Sequence, residues 1–520
     1  TIPQSLPVLI TLNLTKSSRE LSEEGILVKK LNSLENLAIV DYFLMDKTGT
    51  LIENKFEIDN IIGDDKEKIL KLAALASFNE KDPIDSIFLK HKDLEEDDYK
   101  PFNSKDKYSY AKIKDLIVYK GSPNAIIDLY LKKSKRINYE ELEKWENLIK
   151  KEAEKGNKVL LIAVENKKKG NYKIEGLISL KVKLKKGVKS LINKLIEEGL
   201  KIIILTGDRK ENTEAIIKQL NLKGKVVDRT YLINKKDEEI AKELDKIIAI
   251  TEIYPEDKLR IVEIIKKHKR KTVCMFGDGV NDSLALKKAD VSIVVGDGSE
   301  LAKNVADLVL LNPDLSKIEK TIKKGRNIIY SIKKMILFIL PTNIVELFSG
   351  SIGVIFKKLI LKPVQILWIN LVTDSLPSFL YFFDKEKELK KSEVYPFLNN
   401  FDKKFFIVSS TIFLAFLAFS YSYLQKNFFL AIIIWEMLNF LFVKYYFEED
   451  FSYKQIILVS FLFFIQLLII WKFDEVFDFS LFNEKELKIL LINLITFSIL
   501  LLIYTEMLKL KKEEKFLNNQ

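Results

Sequence analysis

Cysteine and histidine are nearly absent from this chain. Its 520 residues hold one cysteine, Cys274, so no intrachain disulfide can form. Cys274 sits in an apolar strand candidate and reads as a small core residue. The two histidines, His91 and His268, lie among lysines without metal-ligand spacing and read as surface residues. A signal peptide is missing too. The first residue, Thr1, already lies in an apolar segment, so the sequence reads as a fragment or split product that starts inside a membrane helix. There is no acidic excess. The formal net charge is +11 at pH 7, a balance that favours nucleic acid or membrane surfaces. The lysines are spread through solvated helices and membrane-flanking loops. Membrane lipid is therefore an expected partner, and nucleic acid is not.

What is present divides sharply. Up to about residue 330 the chain is rich in Lys and Glu; beyond it come long apolar runs. Six runs have the length of a membrane-spanning helix, roughly 20 residues. They are 335–356, 359–382, 404–424, 428–447, 455–471 and 487–508, and residues 1–13 read as the end of another.

The charged part alternates helix and strand. Helices are predicted over 66–78, Val188–Glu198, Glu211–Leu220, Asp257–Lys267 and Ser283–Lys288. Strands are predicted at Ile202–Leu205, Ile247–Ile250, Thr272–Phe276 and Val291–Val295, with strand candidates over 107–118. Such alternation implies a parallel sheet with helices on both faces. The strand before Asp46 belongs to the same sheet, so residues 51–180 read as an insertion large enough to be a second domain.

Three strand ends carry the chemistry. Asp46-Lys47-Thr48-Gly49-Thr50 follows the apolar run ending at Met45. A carboxylate exposed at the end of a buried strand is a nucleophile candidate. Backbone N–H groups of the Gly49 turn could cradle a phosphate. Thr206-Gly207-Asp208 ends a second strand, and Gly277-Asp278-Gly279-Val280-Asn281-Asp282 ends a third. Together Asp46, Thr206, Asp208, Asp278, Asn281 and Asp282 make an acidic, hydroxyl-bearing cleft suited to Mg²⁺ and a phosphoryl group. Ligands at the carboxyl ends of parallel strands are the rule in such sheets.

These strings, in this order and followed by membrane helices, resemble the P-type cation-transporting ATPases. The resemblance implies a haloacid-dehalogenase-like, doubly wound α/β phosphorylation domain at 14–50 and 181–330. It implies an inserted α+β nucleotide-binding domain at 51–180, an α-helical transmembrane bundle at 331–510 and a cytosolic tail at 511–520. The cofactors implied are Mg²⁺ and ATP, and Asp46 is the implied phosphorylated residue. Related phosphatases carry a second Asp two residues after the nucleophile as general acid and base. Here that position is Thr48, which lets an acyl phosphate persist and suits coupling to a shape change.

Further segments carry the likeness. Pro101-Phe102-Asn103-Ser104 with Lys107 resembles the nucleotide signature, whose Phe stacks on adenine. Tyr119-Lys120-Gly121-Ser122-Pro123 is similar to the segment whose Lys lines the ATP pocket, and Asp85 falls at a nucleotide-contacting acid. Lys258, in Tyr254-Pro255-Glu256-Asp257-Lys258, resembles the Lys that contacts the transferred phosphate. The chain departs from the family at Asp106 and Glu252, where arginine is usual, and at Val182-Lys183-Leu184-Lys185.

Polar groups inside apolar helices mark ion paths. Asn343 and Glu346 share one helix face, and Asn370, Thr373 and Asp374 lie in the next span. Pro3-Gln4-Ser5-Leu6-Pro7 would unwind a helix and free carbonyls. Oxygen-rich sets of this kind suit hard cations such as Ca²⁺. Here the resemblance narrows to the calcium-pump-like, type II branch, with Gln4 where those pumps have Glu. Glu436 lies too early in its span to match that family's eighth-helix ligand, so one ion site is expected. The loop 383–403 and the tail after 508 are Lys-rich, as cytosolic segments should be, although Lys357, Lys358 and Lys362 would face outward.

The expected function is ATP-driven transport of Ca²⁺ or a similar divalent cation, in a bacterial cell membrane. Na⁺, K⁺ or Mn²⁺ pumping, a non-pumping half-pump that binds nucleotide and a membrane-tethered phosphatase are the alternatives. The actuator domain of the family is expected on sequence before Thr1 or on a separate partner chain.

Overall fold

The computed structural model describes residues 6–53, 55–80, 82–93, 95–103, 106–134, 137–168, 171–312, 314–355, 357, 359–424, 427–450 and 452–517. Pro3, Gln4, Ser5, Ser104 and Lys358 therefore lie outside the described residues. The chain divides into two compact units. One holds the described residues of Thr1–Glu20 and Ile322–Gln520, and the other is Leu21–Thr321.

Two sheets make up the Leu21–Thr321 unit. The first contains β1 (Ile26–Val28), β2 (Tyr42–Asp46), β9 (Lys201–Leu205), β10 (Lys225–Asp228), β11 (Ile247–Thr251), β12 (Val273–Gly277), β13 (Val291–Val295) and β14 (Leu308–Leu310). Its order is β1-β14-β13-β12-β2-β9-β11-β10. Every pair is parallel except β1 with β14. Central strands are apolar at almost every position, as in Ile202-Ile203-Ile204-Leu205, because helices cover both faces. β2 lies mid-sheet between β12 and β9, so Asp46 emerges between two other strand ends.

The second sheet lies wholly within 57–181. It contains β3 (Glu57–Gly63), β4 (Asp98–Lys100), β5 (Tyr108–Ile113), β6 (Leu116–Gly121), β7 (Lys158–Asn166) and β8 (Asn171–Lys181), in the order β3-β8-β7-β6-β5-β4. All its pairings are antiparallel. The strand candidates at 107–118 form a hairpin that turns at Lys114, whose φ is +50°. Two chain segments connect the sheets. They pair at Ile52 and Leu184, with Glu53 N–H donating to Lys183 O at 2.8 Å and Lys185 N–H to Leu51 O at 2.9 Å. The Val182–Lys185 segment thus serves as one side of a two-stranded hinge.

Among the described residues six helices are long and apolar enough to cross a membrane, all in the other unit except for the opening turns of the first. They are Ser316–Ile355, Pro363–Phe383, Asn400–Leu424, Phe428–Tyr446, Tyr453–Lys472 and Glu484–Glu514. The first begins well before the predicted 335, because its opening turns are polar and escape a hydropathy reading. The second is not a regular α-helix. Over Ile369–Thr373 it widens, and Asp374 N–H reaches back five residues to Ile369 O at 2.9 Å. Pro377 has no N–H to give the Thr373 carbonyl, so an irregular turn here has a local cause. Wide turns of this type gather at functional positions.

Gly121 pairs directly with Tyr108 across β6 and β5. A Cβ at Gly121 would come 2.5 Å from Tyr108 Cβ and 2.7 Å from Lys107 O. The close approach keeps β5 and β6 flat against each other. Gly121→Ala should therefore cost about 1–3 kcal/mol through overpacking, seen as a lower midpoint in denaturant titration; an unchanged midpoint would refute the close-packing account.

Candidate active site and candidate cation site

The carboxyl end of the parallel sheet delivers four loops to one place. Lys47–Leu51 turns away from β2 with Gly49 at φ +71°, a left-handed conformation that glycine adopts freely. A Cβ on Gly49 would lie 1.7 Å from Asp278 Oδ2. The turn thus needs glycine twice, for its backbone and to admit the acid that follows β12. Oxygens of Asp46, Asp278 and Asp282 all lie within 4.8 Å of one another.

Lys258 comes from the helix Pro255–Ile264 and bridges this cluster. Its Nζ donates to Asp46 Oδ1 at 2.5 Å and to Asp282 Oδ1 at 2.6 Å. Burial pushes the Asp46 carboxyl above its ordinary range; the Lys258 cation opposes this, and Asp282 and Asp278 add to it. Burial alone would lower the Lys258 ammonium, but the two carboxylates outweigh it and hold it charged. Asp282 also accepts from Gly279 N–H at 3.3 Å, which braces its own loop.

A second cation, Lys47, is fully buried. It pairs with Asp208 and donates to Asn212 Oδ1 at 2.8 Å. Burial would raise the Asp208 carboxyl, but Lys47 and then Lys158 overcome it and hold it below the ordinary range. Asp208 N–H donates to Thr206 Oγ1 at 3.1 Å, so Thr206 and Asp208 close one turn.

A cavity of about 460 Å³ runs from this cluster to the second sheet. Asp46, Thr48, Thr206, Gly207, Asp208, Lys258, Asp278, Asn281 and Asp282 line one wall. Asp85, Phe102, Lys107, Lys120 and Gly121 line the other. Among the described residues expected at the phosphoryl and nucleotide sites, Lys47 and Gly49 stand behind the lining. Phe102 is 52% exposed, so its ring face is available for stacking. Asp85 and Lys120 are buried and pair at 2.6 Å, with Asp85 Oδ2 also taking N–H bonds from Phe78 (2.9 Å) and Asn79 (3.2 Å). Lys107 crosses toward the first sheet, with Nζ 3.4 Å from Gly207 O and 4.9 Å from the Tyr254 ring centre. Arg229 stacks on the same ring at 4.4 Å. At the departure Asp106, the carboxylate is tied to Lys100 (2.5 Å) and Asn103 (2.7 Å).

Oxygen-only carboxylate donors at this spacing fit Mg²⁺. Both Asp282 oxygens are committed, Oδ1 to Lys258 and Oδ2 to Gly279 N–H, whereas Asp46 gives Lys258 only Oδ1, which leaves Asp46 and Asp278 as the better-placed donors. Lys158 and Asn212 escaped the sequence reading. Lys158 opens an apolar strand and lines the cavity, a signal a reader could have used. Asn212 sits in an ordinary amphipathic helix and gives none.

In the membrane-helix unit, Asn370 Nδ2 donates to Glu346 Oε1 at 2.7 Å, joining the first and second apolar helices. Thr373 Oγ donates to Gln466 Oε1 at 2.7 Å, and Asn343 Nδ2 to Ile339 O at 3.0 Å. Asp374 is buried beside them. Glu436, which lies too early in its span to match the family's eighth-helix ligand, adds a further acid here. Its carboxylate is fully buried and lies within electrostatic reach of Asp374, Glu346 and Thr342. A lone acid midway along an apolar span was the signal, and counting positions along the helix concealed it. Glu346 Oε2 and Asp374 Oδ1 are buried with no hydrogen-bond partner among the described residues, and the buried Glu436 carboxylate has the Thr342 hydroxyl as its polar neighbour. Gln4 lies outside those residues.

Comparison with known proteins bears on the domains and the family of the chain. Residues 40–290 match the family model for haloacid dehalogenase-like hydrolases, and 269–322 match a second model of that description. Residues 358–510 match the model for the C-terminus of cation transporting ATPases. The calcium-transporting ATPase 1 of Bacillus cereus is 30% identical over 447 residues, covering 74% of this chain and 50% of that protein. The calcium-transporting ATPase of Bacillus subtilis is 26% identical over 466 residues, covering 74% and 52%. The plasma membrane ATPase 2 of Saccharomyces cerevisiae is 27% identical over 413 residues, covering 74% and 41%. The chain spans about half the length of the curated bacterial relatives it matches.

Removing one partner of a buried ion pair costs about 3–5 kcal/mol, because the other charge is stranded. Asp85→Ala should destabilise the protein by that amount, and Lys120→Met in the same chain should recover most of it. Additive losses in the double variant would show that the two groups do not act as a pair.

Proposed function

The chain belongs to the P-type cation-transporting ATPases, on their calcium-pump-like side, and we propose that it carries the catalytic and ion-binding parts of an ATP-driven pump. It is an integral membrane protein; we place it in a bacterial cell membrane with Asp46 on the cytosolic side. The observation that carries the reading is the shared cavity, which sets Asp46 and Lys258 opposite Phe102 and Lys120.

In the proposed reaction ATP binds with adenine against Phe102. An Asp46 carboxylate oxygen attacks the γ-phosphorus, the bond to the bridging β,γ-oxygen breaks, and ADP leaves. Lys258, already bonded to Asp46, neutralises charge on the transferred group. Asp46, Asp278 and the Thr48 carbonyl would hold Mg²⁺, which supplies charge neutralisation to the phosphates when bound. Thr48 offers no base to activate water, so the aspartyl phosphate persists long enough to drive a conformational change.

The cargo is a divalent cation of the Ca²⁺ type. Supporting this are three acids, Glu346, Asp374 and Glu436, with oxygens of Asn343, Asn370 and Thr373 near them. A bound cation stabilises buried carboxylates that have no cationic partner. Glu436 offsets the neutral Gln4, which the sequence alone left as a loss of site charge.

Two outcomes are expected. Incubation with γ-³²P-labelled ATP should give an acid-stable, hydroxylamine-labile product on the wild type. Asp46→Asn should give none, and Asp278→Ala none at millimolar Mg²⁺; full labelling of Asp46→Asn would sink the assignment. Separately, ⁴⁵Ca²⁺ binding to the purified chain in detergent should be lost in Asp374→Asn and weakened at least about tenfold in Glu436→Gln, about 1.4 kcal/mol or more. Unaltered binding in both would remove these acids from the site, and displacement by Na⁺ or K⁺ alone would redirect the cargo to a monovalent ion.

A further inference from the structure

We propose that Asn212 is a positioning residue whose amide ties the lysine beside the nucleophile to the backbone of the inserted sheet, making ATP-driven phosphorylation depend on that link. The inference rests on the reading of Asp46 as the nucleophile and adds to it a residue outside the recognised strings.

Asn212 lies on the helix Lys210–Gln219, which follows β9 and the Thr206–Asp208 turn. It is buried, and both ends of its amide are engaged. Oδ1 accepts from Lys47 Nζ at 2.8 Å, and Nδ2 donates to the Asn157 carbonyl at 2.6 Å. Asn157 immediately precedes β7, whose first residue, Lys158, lines the cavity. The Asn157 side chain is fixed in turn, donating to Asp59 Oδ2 of β3 at 2.7 Å and to Glu152 Oε2 at 3.5 Å. Gly156 packs against the same helix as Asn212: a Cβ there would lie 3.3 Å from Gln219 Nε2 and 3.6 Å from Ala215 Cβ.

The chemistry selects an amide. Asparagine offers an acceptor and donors on one rigid plane. A carboxylate would satisfy Lys47 but could not donate to the Asn157 carbonyl. A hydrocarbon would do neither. Lys47 already has Asp208 as its carboxylate partner, so the role of Asn212 is not that of a counter-charge. What Asn212 adds is reach. Through it the direction of the Lys47 ammonium depends on where the strand carrying Lys158 stands. Moving that strand away would leave a buried carbonyl and a buried amide unpaired, which is costly. The hinge at Leu51–Glu53 and Lys183–Lys185 joins the two sheets through the chain; Asn212 joins them through a side chain.

The test compares two phosphoryl donors. Phosphoenzyme formation at Asp46 is measured with labelled ATP, which bridges both walls of the cavity, and with labelled acetyl phosphate, which is too small to need the inserted sheet. Asn212→Asp keeps the acceptor for Lys47 and loses the donor to Asn157. It should slow the ATP reaction about tenfold more than the acetyl phosphate reaction. Equal losses with both donors, or none with ATP, would overturn the proposal. A second measurement needs no turnover. Spin labels at Tyr139→Cys and Ile233→Cys, exposed sites on helices beside the two sheets, should report one narrow distance with ADP bound. Asn212→Ala should broaden it, and an unchanged distribution would also overturn the proposal. Broadening in a chain whose wild type takes no label from ATP would refute the phosphorylation reading while supporting the amide link.

Discussion

A carboxylate at the end of a buried strand must find a positive partner, and the contact of Lys258 with Asp46 and Asp282 meets that demand. Three acids within one small volume repel each other and lose hydration together. One ammonium at 2.5 Å and 2.6 Å from two of them makes the cluster tolerable. Much of the first sheet follows from this need. Parallel strands bring Asp46 and Asp278 side by side, and the helix that starts at Pro255 brings the lysine. Gly49 and Gly277 lie where a Cβ would strike Asp278 and Asp282 respectively, so the glycines of both strings serve the packing of acids.

The same demand is met differently in the membrane-helix unit, and the contrast separates two kinds of buried charge. Lys334 pairs with Asp384 at 2.5 Å and Glu449 at 3.0 Å, and Lys444 with Asp384 at 2.9 Å. Lys333 lies 3.4 Å from Asp402. These acids have permanent cations and tie helix ends together. Glu346, Asp374 and Glu436 have no lysine or arginine partner among the described residues. Their neighbours are amides and hydroxyls, which share hydrogen bonds without supplying charge. An exchangeable cation is chemically suited to the second group and redundant in the first.

How much of this was legible depended on the length of the signal. The catalytic strands were readable because each is an apolar run ending in a fixed string, and the helices between them carry a clear period. The inserted sheet was largely hidden. Its strands mix buried and exposed positions, as in Glu57-Ile58-Asp59-Asn60, and bulges shift the register of β3 on β8. Residues brought in by tertiary packing alone were the hardest to find. Asn212 belongs to no string, and its value lies in touching Lys47 and Asn157, 165 and 55 residues before it. Glu436 was visible but was discounted by its position along the helix. Burial against Asp374 and Glu346 is a three-dimensional fact that no count along one helix contains.

The wide turn at Ile369–Thr373 links the backbone to the chemistry of the second site. A regular helix directs its carbonyls along the axis and satisfies them internally. Pro377 prevents that for Thr373, and the turn shifts Asn370, Thr373 and Asp374 in register against the Glu346 helix. Asn370 then reaches Glu346 while Thr373 reaches Gln466 on another helix. The irregularity therefore sets these polar groups against two neighbouring helices without a compensating lysine among the described residues. A site with a built-in ammonium, such as the one around Asp46, is locked until a phosphate competes for that ammonium. A site made of acids and neutral oxygens has no such lock, and its occupancy is set by ion concentration and by the packing of the helices around it.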